Sequence, residues 1–194
     1  MNLPNKLTLL RMILVPAVVV FILYDFMPHR WLVAGLLFGV AAITDAFDGR
    51  IARSRGLITD FGKLMDPVAD KMLVIAVLVA FVPLGLCSPW IVIIVLLREF
   101  LVTSIRMVSS AKGIVIPANN WGKAKTVTQM TALGVIFAIQ YALWLLPELG
   151  VALPAAVTTW LPVVGHVLLW ISTAATVISG ATYVADSKEL FKDA

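Results

Sequence analysis

Six apolar runs divide this chain and leave almost nothing with which to build a water-soluble domain. They fall near Thr8–Tyr24, Trp31–Ala52, Leu64–Leu86, Pro89–Ser109, Trp121–Leu146 and Trp160–Ala185. Each is long enough, or nearly so, to cross a hydrocarbon core of about 30 Å at about 1.5 Å per helical residue. Breakers mark the turns: Pro28, Pro83 with Gly85, Gly113 with Pro117, and Pro147 through Pro154. Only 13% of the 194 residues are charged, and the mean hydropathy is +0.99. No polar stretch is left for a second domain, so residues 1–194 are expected to form one all-α integral membrane domain with six transmembrane helices. Met1–Leu7 is expected to be a short interfacial segment ahead of the first span. Arg11 interrupts the first apolar run and no small-x-small site follows Leu23, which argues against a cleaved signal peptide.

The basic residues orient the bundle. Lys6, Arg11, Arg50, Arg53, Arg55, Lys63, Arg106, Lys112, Lys123, Lys125, Lys188 and Lys192 lie in the termini, in the turns near Ser54–Gly62 and Ser110–Asn120, or at adjacent helix ends. The opposite side has only Arg30. Positive residues stay inside, so both termini are expected in the cytoplasm, with a bacterial inner membrane the simplest setting. The net charge of +4 comes with no continuous basic face interleaved with aromatics. Nucleic acid is therefore not an expected partner, whereas anionic membrane lipids and phosphorylated substrates are. The single Cys87 permits no internal disulfide and reads as a small apolar filler.

Against that background, four aspartates need a reason, because a carboxylate in the membrane costs a few kcal/mol or more. Asp45 and Asp48 are three apart, Asp66 and Asp70 four apart, so each pair shares one face of a helix. The polar turn around Ser54–Gly62 brings the two pairs to similar depth on neighbouring helices, at the cytoplasmic end of a hairpin. Without cations they would repel one another. Divalent ions resolve this, and an all-oxygen donor set suits Mg²⁺, Mn²⁺ or Ca²⁺ better than zinc. Two metals bridged by shared carboxylates and completed by phosphate fit the pattern. Gly49 and Gly62 clear space beside the carboxylates, and Arg53 is suited to bidentate contact with a phosphate. Pro67 either kinks the third helix or begins it. The structural alternative for the set is an ion-pair network with Arg50, Arg53, Lys63 and Lys71. For Gly49 alone it is close helix packing, and for Gly62 a turn.

The string Asp48-Gly49-x-x-Ala52-Arg53-x₈-Gly62-x-x-x-Asp66-x-x-x-Asp70, with Asp45 three residues upstream, resembles the motif of the CDP-alcohol phosphotransferases at every defined position. The resemblance implies that family's six-helix membrane fold with a cytoplasmic-side active site, usually in a homodimer. It also implies transfer of a phosphoryl-containing group from a CDP-linked donor to an alcohol with release of CMP. On the same basis Asp45, Asp48, Asp66 and Asp70 hold two divalent metal ions, Mg²⁺ or Mn²⁺, and Asp70 is also the catalytic base. Gly49, Ala52, Arg53 and Gly62 line the nucleotide site. Within the family, the stretches Leu3-Pro4-Asn5-x-Leu7-Thr8-x-x-Arg11, Arg98-Glu99-Phe100 with Arg106, and Gly122-Lys123-x-Lys125-Thr126 resemble members that use CDP-diacylglycerol as donor and glycerol 3-phosphate as acceptor. The resemblance covers roughly residues 1–140 and fades in the last span.

Glycerol 3-phosphate is dianionic near neutral pH and needs fixed cations away from the metals. Arg106, Lys123 and Lys125 flank the turn between the fourth and fifth spans and suit such a pocket; headgroup anchoring is their alternative. Arg98 and Glu99 lie deeper, and each is expected to need a partner other than its neighbour. Asn5, Thr8 and Arg11 are candidates for the nucleotide, although Thr8 also suits a helix N-cap and Arg11 a snorkelling position. The Met and Trp residues read as packing and interface anchors, and His29 and His166 are remote from the aspartates. Other acceptors (inositol phosphate, phosphatidylglycerol, serine) preserve the chemistry. A cation path is the rival of another class, but the carboxylates cluster at one face and far-side turns such as Pro83–Ser88 are nearly uncharged. Removing the base should separate binding from chemistry: Asp70→Asn is expected to abolish turnover while nucleotide binding persists, and near-normal activity would exclude Asp70 as the base.

Overall fold

A computed structural model describes the backbone of residues 3–55, 60–113 and 120–187, and the side chains of residues 8–44, 71–113 and 120–187. Six helices make up the described residues, with no strand among them: α1 Leu3–Leu23, α2 Arg30–Arg55, α3 Asp60–Phe81, α4 Pro89–Ala111, α5 Asn120–Glu148 and α6 Ala155–Asp186. Among the residues whose side chains are described, α5 and α6 are each long and apolar enough to cross a membrane, and α1, α2 and α3 contribute the apolar stretches Thr8–Leu23, Arg30–Thr44 and Lys71–Phe81.

Several expected boundaries shift. Helix α1 is already helical at Leu3, so Leu3–Leu7 belongs to it and Thr8 is an interior residue and not an N-cap. Helix α3 starts at Asp60, which puts Pro67 inside it and not in its first turn, and it ends at Phe81, well before Leu86. Helix α5 continues through Pro147, and the chain then turns at Gly150, where φ is +76°. There Val151 N–H donates to Leu146 O at 3.0 Å and Gly150 N–H to Pro147 O at 2.9 Å. This pair of bonds closes a helix end through a left-handed residue, a conformation that glycine adopts without a Cβ clash.

Packing forms two groups. Helix α1 lies on α2 and α3; α6 lies on α5 and α4; the groups join where α2 meets α5 and, more lightly, where α3 meets α4. The first joint is aromatic: Phe137 of α5 has ring centroids 5.5 Å from Phe38 of α2, 6.3 Å from Trp31 and 5.4 Å from Phe81 of α3. Trp31 is thus a core residue rather than an interface anchor. Close approach needs small residues. A Cβ at Gly35 would lie 3.3 Å from Phe137 Cβ, and one at Gly165 only 2.8 Å from Ile136 Cγ1.

The outer surface is apolar as well as the core, and several small polar residues are buried. Ile13, Leu36, Leu97, Phe100, Val127 and Trp160 face outward, while Ser109, Gln129, Ser172, Thr173, Thr176 and Ser179 are buried. An outer surface this apolar suits lipid. The buried hydroxyls largely answer their own helices: Thr173 donates to Leu169 O at 2.7 Å, Thr176 to Ser172 O at 2.8 Å and Ser109 to Ile105 O at 2.7 Å. In the turn after α1, His29 has φ +62°. Its ring meets the Tyr141 hydroxyl at 3.2 Å and the Trp144 ring edge-on, with centroids 4.6 Å apart, which ties the turn to α5. Cys87 is buried in the α3–α4 turn, and burial pushes its thiol up to about 12, as an inert filler should be.

The α5–α6 contact can be tested by thermal unfolding in detergent. Gly165→Ala is expected to destabilise by about 1–3 kcal/mol, because Ile136 must move. Gly134→Ala, whose added methyl meets open space, should stay within about 0.5 kcal/mol of the parent. Equal midpoints for the two variants would contradict the close approach.

Candidate active site

The aspartate motif lies on α2 and α3, whose backbone is helical through Asp45, Asp48, Asp66 and Asp70. The i,i+3 and i,i+4 spacings are therefore those of continuous helices. The side chains of these four, and of Asn5, Gly49, Ala52, Arg53 and Gly62, lie outside those described, as does the connection 56–59. As a donor set, four carboxylates within one helical hairpin fit hard divalent cations.

Helix α1 packs on both members of this hairpin, and chain connectivity puts its N-terminal half at the same end as the aspartates. Thr8 and Arg11, three apart and so on one face, are each 2% exposed, and each has a bonding partner. A buried arginine at this end of an apolar bundle adds positive charge beside the carboxylate helices.

A second polar feature of the described residues is an ionic cluster on α4 and α5. Glu99 of α4, 8% exposed, accepts at Oε1 from two cations: Arg98 Nη1 at 2.9 Å and the Lys125 amine of α5. Arg98 also donates through Nη2 to Ser179 Oγ of α6 at 2.8 Å. Gly180 makes room for it, since a Cβ there would lie 3.2 Å from Arg98 Cγ. The Lys71 amine of α3 donates to Thr103 Oγ1, and that hydroxyl donates to the Glu99 carbonyl at 2.6 Å. One cluster thereby links α3, α4, α5 and α6, and Lys71 is the residue after Asp70.

Arg98 and Glu99 do find other partners, as expected, but they also touch each other. The contact arises because a long guanidinium can fold back across the roughly 100° that separates adjacent helical residues. Of the three cations expected to meet the acceptor, Lys125 is buried whereas Arg106 and Lys123 are exposed. Arg106 lies seven residues after Glu99 on α4, hence on the same stripe and about two turns nearer the helix end. His29 and His166 lie away from this cluster, His29 against Tyr141. Sequence reasoning did not find the parts played by Thr103, Ser179 and Gly180. Their signal is faint: a Ser-Gly pair and a lone threonine inside apolar helices, distant in sequence from the charges they serve.

A carboxylate hairpin flanked by buried cations suits a phosphate-bearing substrate with divalent metal. The profile of the CDP-alcohol phosphatidyltransferase family matches residues 1–178, and the chain belongs to that family. Among curated relatives, it is 37% identical to the CDP-diacylglycerol--glycerol-3-phosphate 3-phosphatidyltransferase of Bacillus subtilis (strain 168), over 98% of this chain and 97% of the relative. It is 35% identical to the Rickettsia bellii (strain RML369-C) protein of the same name, over 98% and 97%. It is 38% identical to a Mycobacterium tuberculosis (strain ATCC 25618 / H37Rv) protein named "Probable phosphatidylglycerophosphate synthase", over 95% and 80%.

Proposed function

We propose that this chain is a six-span membrane transferase acting as a phosphatidylglycerophosphate synthase. It moves the phosphatidyl group of CDP-diacylglycerol to glycerol 3-phosphate, giving phosphatidylglycerol phosphate and CMP. The observation that carries this reading is the near end-to-end match to relatives named CDP-diacylglycerol--glycerol-3-phosphate 3-phosphatidyltransferase, on a chain that has the family's complete aspartate motif. A bilayer location with both termini cytoplasmic and a homodimer complete the proposal, supported by the apolar outer surface and the basic asymmetry.

CDP-diacylglycerol enters sideways from the bilayer and keeps its acyl chains in lipid. Gly49, Ala52, Arg53 and Gly62, with Asn5 and Thr8, receive the nucleotide and its phosphates. Asp45, Asp48, Asp66 and Asp70 would hold about two Mg²⁺ or Mn²⁺ ions, which when bound polarise the pyrophosphate and offset the charge on departing CMP. The 1-hydroxyl oxygen of glycerol 3-phosphate forms a bond to the β-phosphorus, the bond from that phosphorus to the bridging oxygen breaks, and Asp70 accepts the hydroxyl proton. Arg106, Lys123 and Lys125 offer positive charge to the acceptor's own phosphate. Lys125 is the one of the three whose described surroundings are buried, and an ammonium held there is worth more than one in water.

An acceptor panel tests this directly: purified protein, CDP-diacylglycerol and Mg²⁺ or Mn²⁺, with CMP release followed for each alcohol. Release with glycerol 3-phosphate, and a raised acceptor KM with little change in donor KM for Lys125→Ala, are expected. Release only with another alcohol would retain the chemistry and overturn the acceptor. No release with any alcohol would return the cation path to consideration, and an unchanged acceptor KM would return Lys125 to a lipid-anchoring role.

A further inference from the structure

We infer that Glu99 is a positioning residue for the acceptor site: its carboxylate holds the buried Lys125 amine in place beside Arg98, so that the amine's remaining N–H groups are presented to an incoming phosphate dianion. The inference rests on the proposed acceptor for its substrate and on the geometry of α4, α5 and α6 for its device.

Charge balance is the first support. Glu99 is a single anion between two cations, the half-buried Arg98 and the buried Lys125, and both use the same oxygen, Oε1. Among the described residues, that triad has one positive charge in excess. A buried excess of this kind is costly until an anion answers it, and an ammonium with three donors that gives one to Glu99 has two left to offer. A phosphate monoester, close to dianionic near neutral pH, is the matching chemistry. The second support is how firmly Glu99 itself is held. Its carbonyl takes the Thr103 hydroxyl at 2.6 Å, and Arg98 is fixed from the far side by Ser179 at 2.8 Å with Gly180 alongside. Glu99 is the described partner of Lys125, and its backbone carbonyl is linked through Thr103 to Lys71 on the helix that bears Asp70. Without the carboxylate, Arg98 and Lys125 are like charges with nothing between them, and Lys125, the end of a flexible stem, is the one that moves off.

The test uses the full chain in detergent or nanodiscs and reads two quantities: donor and acceptor KM from CMP release, and the glycerol 3-phosphate Kd from calorimetry with Mg²⁺ and without donor. Glu99→Gln is expected to raise the acceptor KM and Kd about tenfold or more, the effect of losing one charge-assisted hydrogen bond, with the donor KM within about twofold. Glu99→Asp should recover part of the loss. The double variant Glu99→Gln/Lys125→Met should bind no worse than Lys125→Met alone, since Glu99 acts through Lys125. It replaces both ends of the buried pair, so it also guards against a single variant that fails to fold. An acceptor Kd unchanged in Glu99→Gln, donor and acceptor KM rising together, additive losses in the double variant, or no glycerol 3-phosphate binding by the parent protein would each overturn the positioning role. Binding that weakens in Glu99→Gln while the parent releases no CMP with glycerol 3-phosphate would sink the proposed reaction and leave the positioning role standing.

Discussion

Every charged group inside this bundle has to be answered by another, because neither lipid nor the apolar core will solvate it. That constraint organises the described structure around Glu99. One carboxylate gathers Arg98 and Lys125, and through Arg98 it reaches Ser179 on α6. Through its backbone carbonyl and Thr103 it reaches Lys71 on α3. Four helices are thus tied by polar bonds, in a bundle whose described core is otherwise mostly apolar. Removing one end of such a pair leaves an uncompensated charge, a loss of about 3–5 kcal/mol. The cluster therefore fixes the register of α4 against α5 and α6 more sharply than side-chain packing alone.

The two halves of the bundle divide the chemistry. Helices α1 to α3 bear the aspartates and the buried Thr8 and Arg11, while α4 and α5 bear Glu99 with Arg98 and the buried Lys125. They meet at the aromatic joint around Phe137 and at the Lys71–Thr103 bond. A donor whose pyrophosphate is held on one half and an acceptor whose phosphate is held on the other would be brought together by that seam. Such an arrangement turns binding of two substrates into alignment of two reacting groups.

Much of this was legible in the residues. Apolar runs and breakers located six helices, and the motif from Asp45 to Asp70 resembles that of the family whose profile spans residues 1–178. Helix ends were less readable. Leu3 to Leu7 continues the first helix because nothing there forbids it, and Thr8, a good cap by type, is simply a buried interior residue. The partners of the buried charges were not readable at all. Lys125 and Glu99 are 26 residues apart and Arg98 and Ser179 are 81 apart, and local periodicity has no term for such pairs. Ser179 looks like any small residue in an apolar helix until the arginine arrives from α4.

The four aspartates are central to the proposed function, in which they hold divalent metal. Titration of the purified protein with Mn²⁺, followed by the loss of the free-ion paramagnetic resonance signal, measures that directly. About two ions held per chain, with binding weakened in Asp45→Asn and in Asp66→Asn, is the expected result. Protein that releases CMP but shows no saturable Mn²⁺ or Mg²⁺ binding, or whose binding ignores those substitutions, would contradict the assignment of the aspartate hairpin as a metal centre.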